Sequence, residues 1–307
     1  DGIGEEPRAA DAGEALLLEE GHREEWFESS FIRWLTLIAV IGFSSLIYGQ
    51  MNAPKPVLKL RLLLDRQFGS VAVMALALGM VMYGSTYVIP QFLAIISDYN
   101  AFQTGLVIFW MGIPAFLLMP VLPFMIRRIH IRIAVGVGML LMAISCFVSI
   151  SLTAQSGGAV FTEGQLIRGV GMILSMMFLN QATVASVAKA DAGDASGIFN
   201  AARNLGGSFA LAGLASFQDQ RIWHHSRRME ESLNANSVSV QNHLDGLARN
   251  FGGMDGAMAM LSRTIQREAF VMTYNDVFLA MGILTLATVP LVVFLKPLPK
   301  NTSLSMH

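Results

Sequence analysis

Seven apolar runs constrain this chain more than any other feature. They cover 31–48, 68–96, 105–126, 131–152, 165–188, 196–217 and 277–295. A hydrocarbon layer about 30 Å thick is crossed by about 20 residues of helix at ~1.5 Å each, and most of these runs reach that length. A segment in lipid must satisfy its own backbone hydrogen bonds, and none of the runs shows the alternation of a barrel strand, so each is expected to be a helix. Composition agrees: 53% of the 307 residues are hydrophobic and 14% are charged, well below the ~25% charge of an ordinary soluble domain. The expected fold class is an all-α integral membrane protein.

Lysine and arginine in the short connections orient the runs. One side collects Lys55, Lys59, Arg61, Arg66, Arg127, Arg128, Arg132, Lys189, Lys296 and Lys300, whereas the opposite connections 97–104 and 153–164 have none. The basic side is expected to be cytoplasmic, and seven alternating spans put the C-terminus there too. The remaining segments are not spans. Residues 1–30, with ten acidic residues and two arginines, form an acidic non-membrane segment. Residues 49–67 read as a cytoplasmic amphipathic linker, 218–274 as a long outer loop with one helical stretch, and 296–307 as a cytoplasmic tail. The expected domains are therefore 1–30, the extra helix 31–48, the linker 49–67, five helices within 68–217, the loop 218–274, a last helix within 275–295, and the tail.

Several function classes fall away. A net charge of −1 supplies no nucleic-acid surface. The single Cys146 permits neither an intrachain disulfide nor a cysteine-based metal site. No GxSxG, HExxH or P-loop pattern occurs, and His224 and His225 stand together on a polar segment without a partner at metal-ligand spacing. No enzyme, metal or cofactor is expected. No span repeats a channel-filter signature either.

The candidate functional residues are the polar ones inside apolar runs. Arg203 is about ten residues, or ~15 Å, into its run, where an unpartnered charge facing lipid costs at least ~2.5 kcal/mol. Ser196, Asn200, Arg203, Asn204 and Gly207 share one helix face by their i, i+3/i+4 spacing, and that face is expected to point into the protein. Two roles fit Arg203, an element of a substrate or gating path and a hydrogen-bond hub joining helices. Arg168 lies near the outer end of its run, from which its side chain is expected to snorkel to the surface. Asn180 and Thr183 read as a buried polar pair on the same helix. Tyr83, Tyr87 and Gln91 form a stripe beside Pro90, suited either to packing or to apolar, cationic or amphiphilic ligands.

Longer stretches carry a resemblance. WFESSFI, VLKLRLLLDRQFG, PQFL, IRGVGMILSMMF, TYNDVFLAMGI and above all DASGIFNAARNLGGS resemble the carboxyl half of fourteen-helix drug/proton antiporters of the major facilitator superfamily, of the EmrB/QacA type. The resemblance implies six helices of the carboxyl bundle plus one preceding extra helix, 31–48, in a bacterial cytoplasmic membrane. It also implies exchange of protons for lipophilic or cationic small molecules by alternating access. Asn200, Arg203 and Asn204 fall on the family's NxxRN pattern. Implied partners are the lipid bilayer, an amino-terminal half that this sequence lacks, and a periplasmic adaptor with an outer-membrane channel. Family-like sequence resumes near LLLEEGHREEWF, so the residues before it read as an aberrant start, and a lone half is not expected to pump.

Overall fold

The computed structural model describes residues 60–295 apart from 189–190, 233–237 and 251–252, together with the helical residues Ile41, Ser44 and Tyr48. The acidic segment 1–30, the tail 296–307 and nearly all of the expected 31–48 helix lie outside the described residues. The chain divides into two units, Asp1–Leu58 and Lys59–His307, and every element below belongs to the second.

A 3-10 turn, Leu60–Leu64, precedes α1, Arg66–Ile95. The Asp65 carboxylate accepts the Gln67 N–H at 3.1 Å and so caps the first free donors of α1. After a tight turn through Asp98 (φ 53°), α2, Ala101–Leu118, begins with Asn100 and Gln103 capping one another reciprocally. There follow α3, Leu122–Arg128; α4, Ile131–Val148; α5, Ala159–Ala185; α6, Ala192–Ser232; α7, Val238–Asn250; and α8, Met254–Thr288, which tightens into a 3-10 turn, Val289–Phe294.

Two expectations need correction. The run 105–126 is not one helix: a turn at Met119–Val121 separates α2 from α3. Pro120 and Pro123 lack the N–H groups that would carry the ladder across it. The segment 218–274, expected as a long loop with one helical stretch, is built largely of helix. Helix α6 runs on for 41 residues, about 60 Å at ~1.5 Å per residue, and α8 starts more than twenty residues before its apolar part.

Among the described residues, four helices are long and apolar enough to cross a membrane: α1, α2, α4 and the last, Met254–Phe294. Helices α5 and α6 have the length but are made too polar for that standard by Gln165, Arg168 and Asn180, and by Asn200, Arg203 and Asn204. Contacts along the bundle nonetheless align them with the others, since α5 lies along α4 and α6 along α1. The helices alternate in direction. At one end Arg132 Nε donates to the Leu295 carbonyl, close to where α1 begins. At the opposite end Ser97 Oγ donates to the Ser156 carbonyl at 2.8 Å, the Gly158 N–H to the Tyr99 hydroxyl at 3.1 Å, and Arg267 to the carbonyls of Ile96 and Ala154 at 2.7 and 3.0 Å. Arg66, Arg128 and Arg132 thus gather at the first end, as the charge asymmetry anticipated.

Glycine sets the closest helix contacts. A Cβ on Gly79 would lie 1.9 Å from the Arg203 carbonyl oxygen, and one on Gly206 would lie 2.0 Å from that of Leu76, so α1 and α6 cross backbone against backbone. Gly169 against the Met111 carbonyl and Gly138 against the Ser175 amide do the same for α2–α5 and α4–α5. Behind these contacts Phe92, Phe161, Tyr274 and Phe278 interlock, Phe92 standing edge-on to Phe161 and Tyr274 at 5.4 and 5.3 Å between centroids.

Gly79→Ala is expected to cost about 3 kcal/mol or to prevent folding, since backbone would have to move. Gly213→Ala, with open space around it, is expected to be neutral or to add ~0.5–1 kcal/mol of helix propensity. Melting curves of the detergent-purified variants check both, and equal curves would refute the crossing as the limiting contact.

Candidate functional site

The α1–α6 crossing decides where the sequence-selected residues go. Because Gly207 has no side chain, the Tyr83 ring lies directly on α6; a Cβ there would be 2.4 Å from the ring. From that seat the Tyr83 hydroxyl donates to Asn204 Oδ1 at 3.3 Å. Two turns farther along, the Gln218 amide donates to Gln91 Oε1 at 3.0 Å. The stripe therefore divides: Tyr83 and Gln91 belong to the seam between the helices, while Tyr87, between them, is 40% exposed. Pro90 sits inside α1 without ending it and leaves the Thr86 carbonyl without its usual helical donor.

Arg203 is half-buried where α1, α5 and α6 meet. Its carbonyl abuts Gly79, and its guanidinium reaches Met176 Sδ on α5 at 3.3 Å. Its Nε is buried with no acceptor, and no carboxylate pairs with it among the described residues. The five-residue face expected around Arg203 is only partly inward. Arg203, Asn204 and Gly207 meet other helices, whereas Asn200 is exposed and returns its amide to the Ser196 carbonyl at 3.0 Å.

Arg168 does not snorkel. It is 1% exposed, with Nε donating to Ser145 Oγ at 3.3 Å, a terminal nitrogen donating to Gln165 Oε1 at 3.0 Å, and the other terminal nitrogen unpartnered. The expectation failed because α5 begins at Ala159, six residues before the apolar run, which places Arg168 ~13 Å into the helix and turns it onto α4. The expected Asn180–Thr183 pair also separates. Thr183 is fully buried and donates to the Leu179 carbonyl at 2.8 Å, while Asn180 is exposed.

One cluster was missed. Asp276 Oδ2 accepts from Arg221 Nε at 2.7 Å and NH2 at 2.6 Å, and lies 2.6 Å from His225 Nε2. This ties α8 to the extension of α6, so His225 does have a partner, fifty-one positions away. Its sequence signal was an aspartate at the threshold of the last apolar run, facing basic residues just past the preceding one. Asn275 beside it closes a two-way bond with the Leu152 backbone, at 3.0 and 3.1 Å. No group of three or more His, Cys, Asp or Glu suited to a metal occurs among the described residues. An open apolar cavity of about 330 Å³, lined by Leu63, Leu64, Val73, Leu291 and Phe294 among others, lies at the basic end of α1, at least ten residues along that helix from Tyr83.

Asp276→Asn is expected to lower stability by about 1–2 kcal/mol, because it removes the charge that answers Arg221 on partly exposed side chains. Arg168→Met is expected to preserve or raise the melting temperature, since it removes a buried charge with an unpartnered nitrogen. Thermal melts of both variants in one detergent check the two signs.

Comparison with known proteins extends this geometry. Residues 7–211 match the family model for the Major Facilitator Superfamily, a match that begins within the acidic segment. The chain is 26% identical over 288 residues to the colistin resistance protein EmrB of Acinetobacter baumannii, covering 92% of this chain and 56% of that one. It is 25% identical to the fatty acid resistance protein FarB of Neisseria gonorrhoeae, at 92% and 56% coverage. It is 24% identical to the multidrug export protein EmrB of Escherichia coli, at 92% and 55%. The chain thus spans a little over half the length of these relatives.

Proposed function

The chain belongs to the major facilitator superfamily, and on that premise we propose that it forms the carboxyl-terminal half of a proton-coupled multidrug exporter in the bacterial cytoplasmic membrane. In this reading α1, α5 and α6 supply one wall of a cavity completed by an amino-terminal bundle. Lipophilic or cationic small molecules cross by alternating access in exchange for protons.

The observation that carries the proposal is a band of exposed polar side chains at membrane depth. Asn180 and Asn204 each lie eight residues from the basic end of their apolar runs, about 12 Å in. Asn204 is bonded to Tyr83, Arg203 lies one residue before it, and Asn200 and Tyr87 are exposed on the same helices. Amide groups turned toward hydrocarbon would lose hydrogen bonds at a cost of several kcal/mol each. A water-filled cavity facing a second bundle removes that penalty. Tyr87 offers an aromatic face to a cationic or apolar ligand, and the half-buried Arg203 borders that cavity as a positive charge. Names among the relatives, multidrug export and colistin resistance, support this substrate class. The extension of α6 past residue 217, with the early turns of α8, gives a projection on which a periplasmic adaptor of a tripartite pump would dock.

The test is ethidium efflux from a pump-deficient bacterium carrying this chain alone, the chain with an amino-terminal half from a relative, and that pair with Arg203→Ala or Tyr87→Ala. Efflux is expected only with both halves. Arg203→Ala is expected to reduce it at least ~10-fold, the scale of about 1.4 kcal/mol, at unchanged abundance. Absence of efflux in every combination, with the chain stably inserted, would overturn transport in favour of a docking or inert role.

A further inference from the structure

Helix α6 exposes two sectors of different chemistry. Asn200, Asn204 and Ser208 make one polar strip. About a quarter-turn round the helix lies the second, in which Leu205, Phe209, Ala212, Ser216, Trp223 and Arg227 follow one another at helical spacing and are all exposed. Within the apolar run this second strip is the part of α6 that suits hydrocarbon: Phe209 is 61% exposed and Leu205 51%. The same strip continues past the run to Trp223, itself 62% exposed, with the Arg227 guanidinium stacked over its ring at 4.8 Å.

The pair lies just beyond a headgroup layer, Arg227 being ten residues or about 15 Å past Phe217, and leans back toward it. Trp223 lies six residues past Phe217, where the apolar run ends, about 9 Å along the axis. Headgroups occupy roughly 5–7 Å on each side of the hydrocarbon. Helical side chains lean toward their own N-terminus, which for α6 is toward the bilayer, so the indole reaches back into that layer. Arg227, one turn farther out, leans the same way, as its position on the Trp223 ring demonstrates. The stack occupies the face of the guanidinium and leaves its N–H edge, which no protein acceptor fills among the described residues. A planar fork of donors leaning toward the headgroup layer, on an aromatic platform that itself favours the interface, is matched to a phosphodiester. Of the nearby acids, Glu231 stands at i+4 to Arg227 and competes for it from the solvent side. Asp219, one turn nearer the bilayer, is half-buried and has interactions of its own, while Glu230 and Glu231 lie a turn beyond Arg227, farther from the membrane.

We infer that Trp223 and Arg227 form a site for the phosphate of an anionic phospholipid, at the non-basic end of α6, where it holds the helix at a fixed height in the membrane. This goes beyond transport and does not depend on it, because the site needs only the lipid-facing strip.

The test uses the full chain with Trp26, Trp34 and Trp110 replaced by Phe, so that Trp223 alone fluoresces. The protein is reconstituted in phosphatidylcholine vesicles containing equal mole fractions of either phosphatidylglycerol or phosphatidylcholine brominated on the upper acyl chain. Brominated phosphatidylglycerol is expected to quench about twofold more, as one arginine at a membrane surface enriches an anionic lipid severalfold. Arg227→Gln is expected to abolish the preference. Arg228→Gln removes the same charge from outside the strip and is expected to retain it, which separates a site from bulk attraction. Equal quenching by the two lipids, or equal losses in the two variants, would overturn the site. Millimolar glycerol phosphate in the buffer is expected to change nothing, and loss of the preference on its addition would reassign the pair to a soluble phosphate.

Discussion

Everything in this bundle hangs on the contact of two backbones. In lipid there is no hydrophobic force to press one helix on another, so association relies on close packing and on hydrogen bonds. At Gly79 and Gly206 the chain removes the side chains that would hold α1 and α6 apart, and each helix meets a carbonyl of the other. Once those two points are in register, Tyr83 falls over Gly207 and reaches Asn204, and Gln91 meets Gln218. Polar residues on α1 and α6 are thus placed by glycines rather than by each other.

Arg168 and Arg203, well inside α5 and α6, show two solutions to the same electrostatic problem. Arg168 is enclosed between α4 and α5 by neutral acceptors, Ser145 and Gln165, with no carboxylate in contact. Arg203 donates, among the described residues, to the Met176 thioether and borders the exposed polar strip of α6. A guanidinium held this way keeps donors in reserve. The first arginine joins α4 to α5, and the second keeps its unpaired Nε buried where α1, α5 and α6 meet.

Apolar periodicity made the helices legible, and the lysine and arginine asymmetry anticipated which ends gather together. Residue identity in the apolar runs also marked Arg203, Asn204 and Tyr83 before any contact was known. What stayed hidden depends on neighbours distant in sequence or on where a helix starts. Arg168 was misread because α5 begins at Ala159, and Thr162, Glu163 and Gly164 separate its first apolar residues from the run that starts at Gln165. Asn180 and Thr183, three residues apart, divide between an open face and a core because the flank of α5 against its neighbours is narrow. The Asp276 cluster joins positions more than fifty residues apart across a polar segment that separates two apolar runs.

The length of α6 has a mechanical consequence. An unbroken rod of 41 residues is about twice as long as a bilayer core is thick. A tilt of about 10° at the membrane would swing its projecting half by roughly 5 Å, on a lever arm of ~30 Å. The carboxylate of Asp276, gripping Arg221 and His225, fastens the neighbouring rod α8 to that lever close to its fulcrum. Any tilt of α6 would thereby be magnified into a larger displacement outside the membrane, carried by two coupled helices instead of one.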